Sequence, residues 1–82
     1  MLNQEIINRL EYRCRDHHIK LYYDSQGEQY ILSGQGDIIA RALLATRAKG
    51  IVVNGEAWDL EDAMHQIYNM GKINFGFSDL IF

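Results

Sequence analysis

A chain of 82 residues that is 48% apolar and 23% charged has the composition of one small globular domain, and that composition excludes disorder and low complexity. Its longest apolar runs are about four residues, as at Ala42 to Ala45, which excludes a transmembrane helix. The net charge of −3 is unevenly placed: residues 1–50 carry seven Lys and Arg against six Asp and Glu, whereas residues 51–82 carry only Lys72 against five acids.

Residues 3–18 read as an amphipathic helix with Asn3 as its cap and Ile6, Ile7, Leu10 and Cys14 along one face. From Ile19 the period changes to two, and Ser25-Gln26-Gly27 turns the chain, so residues 19–33 read as a hairpin. Gly34-Gln35-Gly36 leads into a helix over residues 37–49, with Asp37 placed to cap it and Gly50 to close it. Its alanines allow close approach of neighbours, which makes this the expected central core helix. Ile51-Val52-Val53, Asn54-Gly55 and Glu56-Ala57-Trp58 form the clearest local pattern, because Asn-Gly accepts the positive φ angles of a type I′ hairpin turn. That turn sets Val53 against Glu56, Val52 against Ala57 and Ile51 against Trp58.

Asp59 is placed to cap a third helix over residues 59–70, whose buried stripe is Leu60, Ala63, Met64, Ile67 and Met70. Ile73, Phe75 and Phe77 alternate with polar or small residues as a last strand over residues 72–77, followed by Leu80-Ile81-Phe82. The expected fold is therefore a single α+β domain spanning residues 1–82. Three helices pack on a mainly antiparallel sheet, with Ile6, Leu10, Leu21, Ile38, Ala42, Leu43, Met64, Ile67 and Phe75 in its core.

Motifs for chemistry are weak. Gly34-Gln35-Gly36 lacks the third small residue of a dinucleotide loop, since Ile39 stands there, and a connecting turn explains it better. Cys14 and His18 are four apart, but structural zinc needs more ligands, and Cys14 falls on an apolar face. With no second cysteine there is no internal disulfide, which fits a reducing cytoplasm. Glu5, Arg9, Glu11, Arg13 and Arg15 interrupt any signal-peptide pattern in residues 1–20. No enzyme activity, cofactor or metal is expected.

An acidic patch and an apolar tail remain. Glu56, Asp59, Glu61 and Asp62, with Trp58 beside them, could select a protein partner with a basic surface, although capping alone also explains the acids. Leu80, Ile81 and Phe82 expose apolar surface unless covered, so residues 73–82 are expected to make a contact between chains, a homodimer first among them. The resulting expectation is a non-enzymatic protein-binding module. Its size and style are those of phage and mobile-element accessory proteins that inhibit host nucleases and CRISPR-type complexes by occupying their surface. The alternative is nucleic-acid binding through Arg9, Arg13, His17 and Lys20, a stripe along the first helix that Glu5, Glu11 and Asp16 interrupt.

Overall fold

In a computed structural model describing residues 3–82, Asn3 opens the first helix, α1 (Gln4–Asp16). Its Oδ1 accepts from the N–H groups of Glu5 at 2.8 Å and Ile6 at 3.4 Å, two of the donors that a helix start leaves without partners. Ile7, Leu10 and Cys14 form the buried face, while Ile6 is only half-buried. The helix stops two residues short of the expected end, because His18 turns left-handed at φ 61° and Ile19 N–H bonds back to the Cys14 carbonyl.

Strands β1 (Lys20–Asp24) and β2 (Gln29–Gln35) form the first hairpin, pairing Leu21 with Leu32 and Tyr23 with Tyr30. Asp24 Oδ1 accepts from Gln26 N–H across the turn, whose left-handed residue is Glu28 rather than Gly27. Strand β2 runs two residues further than expected and passes directly into α2 (Gly36–Leu44). Asp37 does not cap this helix. Gln35 holds the cap position without a side-chain bond, and Gly36 N–H donates instead to the Gly71 carbonyl at 3.0 Å.

Helix α2 also ends earlier than residue 49. A turn follows Leu44, in which Thr46 Oγ1 donates to the Leu43 carbonyl at 2.6 Å and Arg47 takes the left-handed conformation at φ 64°. Gly50 therefore does not close the helix. It begins β3 (Gly50–Val53), where a Cβ would stand 2.9 Å from the Trp58 carbonyl oxygen and 3.3 Å from Ile81 Cδ1. Its missing side chain is space for neighbours.

Strand β3 and β4 (Glu56–Asp59) pair in the expected register, through Asn54 at φ 51° and Gly55 at φ 81°. Asp59 caps α3 (Leu60–Ile67) by accepting from Asp62 N–H at 3.2 Å. Leu60, Ala63, Met64 and Ile67 are buried as expected; Met70 lies beyond the helix and is 50% exposed.

The chain then forms β5 (Lys72–Phe77) and β6 (Asp79–Ile81). Two three-stranded antiparallel sheets result, in the orders β1-β2-β5 and β4-β3-β6. Ser78 joins them, its N–H donating to the Val52 carbonyl at 2.9 Å. The expected single sheet is thus two small ones, bridged by the final stretch of chain. One hydrophobic cluster serves all the elements. Helix α2 sits against α1, α3 and β2, with Ile39, Ala40 and Leu43 fully buried. Leu10, Ala42, Leu43, Met64 and Ile67 are core as expected, whereas Ile6, Leu21, Ile38 and Phe75 lie half-buried at its margin. Leu32, Ile51 and Phe77 fill the centre in their place.

Candidate functional site

The four expected acidic residues follow one another along β4 and the first turn of α3, with Glu56 and Asp59 on opposite faces of the strand. Period two along β4 puts Glu56 and Trp58 on one face, where Trp58 Nε1 donates to Glu56 Oε2 at 3.3 Å. Glu61 and Asp62 occupy the first turn of α3, and Asp59 joins strand to helix. All four carboxylates are exposed, and none is in an ion pair among the described residues. Trp58 is half-buried, set against the fully buried Ile51.

The three tail residues have three different surroundings. Leu80 pairs with Ile51 and is 5% exposed, so it belongs to the chain's own core and is not available to a partner. Ile81 pairs with Gly50, whose other partner is Asp59, so Asp59, Gly50 and Ile81 form one outward row across the sheet. Ile81 covers the glycine and remains 39% exposed, on the sheet face of Asp59 and opposite that of Glu56 and Trp58. Phe82 goes elsewhere, to a groove beside α1, and is 56% exposed. Residues 73–82 form β5, paired with β2, and β6, paired with β3, and both strands stand at an edge of their sheet.

The basic stripe divides as well. Arg9, Arg13 and His17 line that same groove, but Lys20 is on β1 with its ammonium 5.8 Å from the Tyr22 ring centre. Across the groove stands Arg47, which sequence reasoning placed inside a helix and assigned no role. Nothing local distinguishes it, since its position depends on where α2 stops.

The other sequence motifs resolve into structural duties. Gly36 spends its N–H on Gly71, so that amide is not free for a phosphate. Cys14 is 1% exposed, and burial pushes its thiol up from 9.0 to about 11. His18, four residues on, stands exposed in the left-handed turn, and no group of three or more metal-ligating side chains occurs among the described residues. The native protein is expected to resist alkylation by iodoacetamide at pH 8 and to react promptly in denaturant; equal rates would place Cys14 at the surface. Because the folded state holds this proton more tightly, its contribution to stability is full below about pH 9 and is lost as pH rises towards about 11.

No helix among the described residues is long and apolar enough to cross a membrane. Compared with known proteins, the chain matches no family model, no curated protein and no solved structure.

Proposed function

We propose that this chain is a non-enzymatic protein-binding module that engages a basic surface of its partner through the β4–α3 corner. The observation that carries this reading is the run Glu56, Asp59, Glu61 and Asp62, four exposed carboxylates with no ion pair among the described residues, together with the exposed Ile81 on the sheet face of Asp59. Such carboxylates add little to the stability of their own domain beyond the cap and helix-dipole terms. They create a field that speeds encounter with a positive surface, and Ile81 supplies apolar area once contact is made. A nucleic-acid-processing complex, of nuclease or CRISPR type, carries such a surface. A phage or mobile-element accessory protein would inhibit that complex by occupying it.

Affinity capture from the source cell tests this reading, with wild type and the double variant Glu56→Lys, Glu61→Lys as parallel baits. Asp59 is left intact because it caps α3. The expected result is a partner retained by wild type alone, with association to the variant slower by about tenfold or more at low salt and little change in dissociation. Equal capture and equal association rates would remove the acidic corner from the interface.

A further inference from the structure

An open groove of about 1020 Å³ runs between α1 and the turn that follows α2. Arg9 and Arg13 line its α1 side one helical turn apart, and Arg47 lines the opposite side. Arg9 shares its charge with Glu5 at 3.9 Å, but Arg13 and Arg47 have no ion-pair partner among the described residues. The turn carrying Arg47 is held by two bonds of the Thr46 hydroxyl, given to the Leu43 carbonyl at 2.6 Å and accepted from Ala48 N–H at 3.3 Å. Apolar surface lies among these charges. Tyr12 is 67% and Phe82 56% exposed, and the half-buried Ile6 lies with them in the groove.

The geometry points to a docking groove for a short acidic segment of a partner protein, with one or two carboxylates flanked by apolar side chains. Charge complementarity selects that occupant. Guanidiniums such as those of Arg13 and Arg47, with no ion pair among the described residues, match carboxylates through paired, parallel hydrogen bonds, and Tyr12, Phe82 and Ile6 offer area for the apolar flanks. A nucleic-acid strand matches less well. Its phosphates recur at every nucleotide, whereas Glu5 and Asp16 also line the groove and would face that continuous negative charge. The volume is at the upper end of small-ligand sites, roughly 300–1,000 Å³, and suits several side chains rather than a whole domain. This groove has the opposite charge character to the β4–α3 corner and lies on other elements, so the two sites stand or fall separately.

Selection of a random peptide library on the immobilised protein tests the groove. Enriched peptides are expected to place Asp or Glu beside Leu, Ile, Phe or Trp. Fluorescence anisotropy of an enriched peptide should show binding weakened about tenfold or more by Arg13→Glu and by Arg47→Gly, a loss typical of a removed charge-assisted contact. Glycine suits the left-handed backbone at residue 47, so that variant keeps its fold, and circular dichroism melts check both. Gln26→Lys, in the exposed turn between β1 and β2 and outside both sites, should leave the affinity unchanged. Failure to enrich, enrichment of basic or wholly apolar peptides, or indifference to both arginine variants overturns the proposal. Tighter binding of labelled oligothymidylate, lost in the same variants, would assign the groove to nucleic acid instead.

Discussion

Leu43→Ala is expected to lower the free energy of unfolding by about 2–5 kcal/mol, the sum of lost transfer energy and the cavity left behind. Leu43 is fully buried on α2, which lies against α1, α3 and β2, so several elements lose a neighbour together. A domain of this size has a total stability of only about 4–12 kcal/mol, at roughly 0.05–0.15 kcal/mol per residue, so the loss is a large share of it. Urea melts measure it as a fall in midpoint with little change in slope. A loss below about 1 kcal/mol would show that α2 does not organise the core.

Gly36→Ala is expected to destabilise by about 1–3 kcal/mol or more, although alanine is the better helix former by about 1 kcal/mol. The close approach of α2 and α3 decides the sign. A Cβ at residue 36 would overlap the Ile67 carbonyl oxygen and lie 2.8 Å from that of Met70. Both are backbone atoms and cannot rotate aside as the end of a long side chain can. The Gly36 N–H bond to Gly71 fixes the junction further, so relief requires one helix to shift. Gly71→Ala is the control. A Cβ there meets nothing within 4 Å and the backbone is not left-handed, so the change should be neutral or stabilising by a few tenths to about 1 kcal/mol. Thermal melts of the two variants should move in opposite directions or differ clearly in size. Stabilisation by Gly36→Ala would mean that the junction has slack.

What could be read in the sequence was whatever the chain decides within a few residues. Asn3, Asn54-Gly55 and Asp59 act through their own backbone neighbourhood, and the structure uses each as expected. The hairpin register, and with it the placing of Glu56 and Trp58, followed directly. Gly50 was misread because its glycine answers to Ile81 and Trp58 across the sheet rather than to the helix before it. Met70 continued a helical period, but the helix had already ended at Ile67. In the tail, the alternation through Phe77 was visible, whereas a three-residue strand such as β6 has too little pattern to announce its partner. The separate destinations of Leu80, Ile81 and Phe82 depend on that pairing. The groove was least legible of all, since Arg13, Arg47 and Phe82 meet only after α2 stops at Leu44 and β6 has paired.

The bridging of the two sheets by β5 and β6 also has a consequence in time. Tyr30 waits for Phe77 and Ile51 waits for Leu80, so both sheets gain their third strand from a stretch that follows both hairpins in sequence. Until that stretch pairs, the two hairpins expose open strand edges. Closure then depends on contacts between distant parts of the sequence, which makes the search slower than a helical bundle of equal length would need. Once made, the same arrangement couples the two halves. Amide protons on β2 and β3 should exchange through a common opening, because detaching the closing strand frees an edge of each sheet together.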